Sequence, residues 1–186
     1  MKTVVVTTLV LVVLAGATGL VIMYTGTYNI AATSEHTSIG LWAIETTKDI
    51  SIERHAKEIA LGPLDDSILV AEGFEHFDHS CVVCHSAPGV GREEFAEGLY
   101  PEAPELSDEA EEWSDAELFW IIKHGIKMTG MPAFGDTHSD GDIKAMTAFV
   151  RKLPDLGYYD YLDRREAVAS EQGGEDNHDS DEGHEH

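Results

Sequence analysis

The stretch Cys81-Val82-Val83-Cys84-His85 decides how the rest of the chain reads. It holds both cysteines of a 186-residue sequence. A pair this close cannot cross-link distant loops, so a disulfide-stapled fold is excluded. A dithiol redox site of the thioredoxin type follows a strand in a βαβ unit, and no alternating run of strand length occurs here. A structural zinc site draws four ligands, usually from two pairs, and there is no second cysteine pair. C-x-x-C-H is also the attachment signal for a c-type haem. At a helix end its two-residue spacer sets the sulfurs against the two porphyrin vinyl groups, and His85 then offers a ring nitrogen to the iron as proximal ligand. A five-residue pattern also arises by chance, and the surrounding sequence argues against chance.

Upstream, Asp65 or Asp66 caps a helix carrying Leu69, Val70, Gly73, Phe74 and Phe77 that runs straight into the motif. Downstream, Ser114 with Glu117 three residues on opens a helix through Leu118, Phe119, Ile121 and Ile122 that stops at Gly125. Ser139 with Asp142 opens another through Ile143, Met146, Phe149 and Val150, closed by Pro154. Residues 65–154 are therefore expected to form one all-α domain with three main helices. Between the last two helices lies Gly130-Met131-Pro132-Ala133-Phe134-Gly135. A thioether is a soft ligand that favours ferrous iron, so a loop methionine is a candidate for the second axial position. Met131, set among glycines and a proline, does not sit on a helix face where core packing would explain it. Met128 competes by spacing, and His124 or His138 would give a bis-histidine haem instead.

Taken together, these residues resemble the class I cytochromes c over roughly Ser67 to Leu153. The resemblance implies the class I fold, with three main helices around one covalent haem c. In it, a helix bearing Gly73 and Phe77 crosses a later helix bearing Phe149. Cys81 and Cys84 would carry the thioethers, and His85 and Met131 would be the axial ligands, with the usual Pro132 following. Pro104 would accept a hydrogen bond from His85, with Pro101 the nearby alternative, and Leu106 would pack on the haem. Ser86 stands where a glycine often follows the motif, a change read as neutral. The flanks Tyr28-Asn29-Ile30-Ala31-Ala32-Thr33, Thr46-Thr47 and Arg54-His55-Ala56, with His124 to Gly135, are similar to membrane-tethered bacterial cytochromes of one haem domain.

Residues 4–24 contain no charge, and a helix of that length spans about 30 Å, the thickness of a bilayer's hydrocarbon. This segment reads as a transmembrane anchor. The rival is a signal peptide cleaved near Ala15-Gly16-Ala17, which the apolar run continuing to Tyr24 disfavours. Either reading places the haem domain in the periplasm or extracytoplasmic space. Residues 25–64 read as a membrane-proximal linker whose amphipathic helix packs on the globular domain, with His55 as a surface residue. Residues 155–186 read as an acidic, histidine-containing disordered tail, most clearly from Ala169 on. The 35 acids against 12 bases give a formal charge of -23, which excludes nucleic acid as a partner. Lys123 and Lys127 flank the methionine loop as a local cationic spot in an otherwise acidic body.

With both axial positions filled, the iron has no open site for a substrate, and outer-sphere electron transfer is the default. The sequence thus reads as a single-electron carrier, not an enzyme. It would serve respiratory complexes or dehydrogenases at the outer face of the cytoplasmic membrane, with redox proteins as partners. The alternatives are a haem subunit of a larger oxidoreductase complex, an enzyme or gas sensor in which Met131 dissociates, and a metal-handling protein. In the last, His178, His184 and His186 of the tail would hold copper or another divalent metal loosely.

Overall fold

A computed structural model of the chain describes residues 1–175, and the chain divides into two units. The first, Met1–Thr37, is dominated by α1 (Lys2–Thr25). Between Lys2 and Tyr24 its only polar side chains are threonines, and the hydroxyls of Thr8, Thr18 and Thr25 donate to carbonyls four residues back. Gly26 ends it in the left-handed conformation, with φ 65. With a mean hydropathy of 2.5, α1 is long and apolar enough to cross a membrane by length and composition.

The second unit begins at Ser38, and all its regular elements among the described residues are helical. α2 (Ser38–Ala56) buries Ile52 and Ala56, and the ring of His55, otherwise exposed, stacks on Trp120 at 5.6 Å. α3 (Ser67–His76) is capped by Asp66, whose carboxylate accepts from the N–H groups of Ile68 at 2.8 Å and Leu69 at 3.2 Å. It does not run straight on. A π-turn, Phe77–Cys81, intervenes before the single turn of α4 (Val82–His85). After the short α5 (Leu106–Glu109), α6 (Asp115–His124) and α7 (Asp140–Lys152) both open on capping boxes, Ser114 with Glu117 and Ser139 with Asp142.

The core sits where α3 crosses α7. At Gly73 an added Cβ would lie 2.0 Å from the Ala145 carbonyl oxygen, so only glycine permits this approach. The close crossing lets Phe74 and Phe77 meet Phe149 at ring separations of 5.3 and 5.1 Å. Arg151 of α7 ties in the segment before α6, donating to the Ala110 carbonyl at 2.7 Å, to the Trp113 carbonyl, and to Asp115 at 2.6 Å.

The expectation of disorder from residue 155 on needs correction over the described part of that segment. α8 (Tyr158–Glu175) is helical, and its Tyr161 is fully buried against Phe74, Phe77 and Phe149. Val168, two turns on, packs against the same core. The acidic composition of the segment hid a narrow apolar stripe, because burying one aromatic and one aliphatic side chain needs few apolar residues. His178, His184 and His186 lie outside the described residues.

Candidate haem-binding site

Cys81 and Cys84 are free thiols, both half-buried, at the start and within the turn of α4. Burial, and the neighbouring Cys84, push the Cys81 thiol up to about 12. His85 is the last residue of α4, and its Nδ1–H donates to the carbonyl oxygen of Pro104 at 2.8 Å. That bond fixes the tautomer and leaves Nε2 with its lone pair. Burial holds the imidazole below its ordinary pKa, against the upward pull of the Pro104 bond, and Arg92 lowers it further. The neutral ring is the form that binds a metal. Leu106 packs half-buried against the core cluster.

Ser86 is not the neutral replacement the sequence suggested. Its φ of 56 lies in the region that favours glycine, which explains why a glycine suits this position. The Ser86 hydroxyl donates to the His85 carbonyl at 2.6 Å and offsets part of the strain.

Arg92 is a site residue that sequence reasoning missed. Its guanidinium, only 14% exposed, bonds Glu102 at 2.7 Å and lies 3.7 Å from Glu105. Those two acids bracket Pro104, so Arg92 pins the segment whose carbonyl holds His85. A signal existed, because Arg92 is the lone base directly before a run of eleven acids from Glu93 to Glu117.

Met131 is half-buried and packs against the core cluster, whereas Met128 is 85% exposed with φ 64. The loop is shaped by few bonds: Thr129 donates from Oγ1 to the Ile126 carbonyl at 2.7 Å and accepts from the Met131 N–H at 3.1 Å. Gly125, with φ 63, leaves an added Cβ only 2.7 Å from the Pro132 carbonyl group. Both histidines offered as alternative ligands are engaged elsewhere. His124 lies against Trp120 at 5.0 Å, and His138 against His76 at 5.2 Å and Phe134 at 5.7 Å. Among the described residues, no group of three His, Cys, Asp or Glu is placed to hold a metal ion. Lys123 is paired with Asp140 at 2.6 Å, so the expected cationic spot reduces to the exposed Lys127.

These residues fit a haem by donor chemistry. There are two unbridged thiols two residues apart, a neutral imidazole with one free nitrogen, and a soft thioether turned into the core. Val83, Val90, Trp113 and Phe134 add a half-buried apolar rim.

The comparisons agree with this reading. Residues 69–150 match the family described as cytochrome c oxidase, cbb3-type, subunit III, so this stretch is similar to a c-type cytochrome domain. Domains of this class bind haem c and carry electrons. Among solved structures, the c-type cytochrome XoxG from Methylobacterium extorquens AM1 is similar at 25% identity and a TM-score of 0.35, covering 45% of this chain. The chain spans about half the length of that structure, 49%. No curated protein matches.

Proposed function

We propose that the chain is a single-electron carrier with one haem c, joined through Cys81 and Cys84, its iron held by His85 and Met131. The observation that carries the reading is the 2.8 Å bond from His85 Nδ1–H to the Pro104 carbonyl. It turns the ring so that Nε2 is the ligating nitrogen and raises its basicity, while Arg92 holds the accepting segment in place. Met131, inside where Met128 is outside, supplies the thioether. Bound haem supplies the one-electron couple. The protein's part is to fix both ligands so that little rearranges on electron transfer, and to keep small molecules off the iron.

In this reading α1 anchors the domain on the outer face of the cytoplasmic membrane, where tethering raises the concentration of redox partners. A second reading, a haem subunit of a larger oxidoreductase complex, is favoured by the subunit description of the matching family. Mild detergent extraction separates the two, since a subunit leaves the membrane in fixed stoichiometry with other chains and a carrier leaves alone.

The test of the site is spectral. Haem should stay with the chain through acid-acetone extraction, and the oxidised protein should show the weak long-wavelength band of sulfur on iron. Met131→Ala should abolish that band and Met128→Ala should keep it. The opposite pattern reassigns the ligand, and release of haem on extraction overturns the covalent reading.

A further inference from the structure

α8 lies beyond the stretch that matches the cytochrome family, yet it touches the haem-attachment segment on both sides. On the upstream side, the Tyr161 hydroxyl donates to Asp78 Oδ1 at 2.8 Å, and Arg165 Nε lies 3.2 Å from Asp78 Oδ2. Asp78 belongs to the π-turn Phe77–Cys81, three residues before the first thiol. Tyr161 is fully buried among Phe74, Phe77 and Phe149, so its hydroxyl cannot swing away. Burial, then the Asp78 carboxylate, push the Tyr161 phenol up, so the hydroxyl keeps the proton it donates to Asp78. On the downstream side, the ring of Tyr158 rests on Gly89, where an added Cβ would lie 2.9 Å from it. Gly89, with φ 83, sits in a tight loop closed by the reciprocal Ala87 and Val90 backbone bonds of 2.9 and 2.8 Å.

The π-turn gives these contacts a chemical consequence. An extra residue in a helical turn rotates everything after it by about 100° relative to a regular helix. Phe77, buried in the core, and Cys81 therefore hold a relation that an α-helical continuation of α3 would not give. Such turns are rare and persist only where the surroundings over-determine them. Here the surroundings include two bonds to the Asp78 carboxylate, both from α8.

We propose that α8 is a strap that positions the haem-attachment segment, with Tyr161 and Arg165 holding Asp78, and through it the π-turn, so that Cys81 is set for thioether formation. This rests on the covalent haem reading above. In the step concerned, the Cys81 S–H adds across a porphyrin vinyl group. A sulfur–carbon bond forms at the inner vinyl carbon, the thiol proton ends on the outer carbon, and the double bond becomes single, with no external oxidant or reductant. Tyr161 and Arg165 are positioning residues in this step, acting through Asp78.

The experiment counts thioethers in the full-length chain matured in cells that attach haem c. Haem-bearing protein is denatured, its free thiols are alkylated, and the modified cysteines are located by peptide mass. Tyr161→Phe keeps the ring in the aromatic core, and Arg165→Ala trims a side chain that is 48% exposed, so both variants fold. Combined, they should raise the share of haem-bearing chains with alkylated Cys81 and thioether-bound Cys84 about tenfold over wild type, the factor for losing a hydrogen bond to a charged group. The pyridine haemochrome band should move to longer wavelength in the same proportion. Alkylation shared equally by Cys81 and Cys84 overturns the strap, as does a lower yield of holoprotein with both thioethers intact, since either leaves α8 as mere packing. Wild-type chain without covalent haem overturns the underlying reading instead.

Discussion

Around His85 several elements converge, with Pro104 on the ring nitrogen, Arg92 behind Pro104, and the π-turn braced by Asp78, Tyr161 and Arg165. Around Met131 the chain holds itself, through the Thr129 hydroxyl, a positive-φ Gly125 and the caps of the helices on either side. The hydrogen bonds that shape one side reach partners distant in sequence, and those that shape the other stay within a few residues, with Met131 itself resting on the core. Long-range contacts to a packed core are costly to open, and local loop bonds are not. The methionine side should therefore yield first under heat, denaturant or mutation, and the histidine side should fail only with the whole domain.

The largest effect expected from this contrast is at the helix crossing beneath the histidine side. Gly73→Ala places a methyl group 2.0 Å from the Ala145 carbonyl oxygen and 2.9 Å from Phe149 Cβ, so α3 and α7 must move apart. Overpacking against backbone in a well-packed core costs about 3 kcal/mol or more. Denaturant midpoints of the purified holoprotein measure it, and a loss below about 0.5 kcal/mol contradicts the closeness of the crossing.

At the other end of the comparison, Gly125→Ala should act on the methionine loop alone. The added Cβ meets the Pro132 carbonyl group at 2.7 Å and lies on a residue with φ 63. The cost should be about 1–2 kcal/mol, taken up by displacement of the loop. The sulfur–iron band should weaken while thioether count and helix content stay as in wild type. Equal damage to both would show that the two sides are one cooperative unit.

How much of this was legible in the sequence follows the same division between near and far. α3, α6 and α7 could be read because their signals are local: Asp66, the Ser114–Glu117 and Ser139–Asp142 boxes, and apolar positions at helical spacing. The all-α class and the haem motif came with them. What sequence reading missed depends on partners brought together only by folding. Asp78 and Tyr161 are 83 residues apart, and Lys123 meets Asp140 across the methionine loop. Arg92 finds Glu102 ten residues on, at a spacing that belongs to no regular element. The conformation of Ser86 is a backbone property that the identity of its side chain does not announce.

Ser86 also tests the histidine side from within. Since φ 56 suits glycine, Ser86→Gly should relieve strain and forfeit the 2.6 Å bond to the His85 carbonyl. Strain in this region costs about 1–2 kcal/mol and a half-buried hydrogen bond returns part of it, so the net gain should be about 0.5 kcal/mol. Thermal unfolding of the two proteins side by side shows it, and a loss of stability means that the hydroxyl outweighs the strain.

An effect of similarly small size is expected at the downstream edge of the methionine loop. Asp142 closes the capping box of α7, accepting from the Ser139 N–H and hydroxyl at 2.8 Å each. The Ser139 hydroxyl and N–H bonds, with smaller help from His76 and His138, hold its carboxyl below the ordinary carboxylate range. A carboxylate with a depressed folded pKa stabilises above its unfolded value, about 3.9, and that contribution is lost as pH falls through the folded value. Asp142 is mostly open to solvent, so the cap, not the charge, sets the size of the effect. Asp142→Asn should therefore cost about 0.5–1 kcal/mol at pH 5 to 7. The difference from wild type should begin to shrink below about 3.9 and approach zero only once the pH has fallen through the still lower folded value, where wild-type Asp142 is itself protonated. If loop and core open separately, the sulfur–iron band of wild type should weaken over that same acid range before helix content falls. Coincident loss of the two signals would mean that the edge of the loop is held by the core after all, and that the contrast between the two sides is one of geometry without a difference in stability.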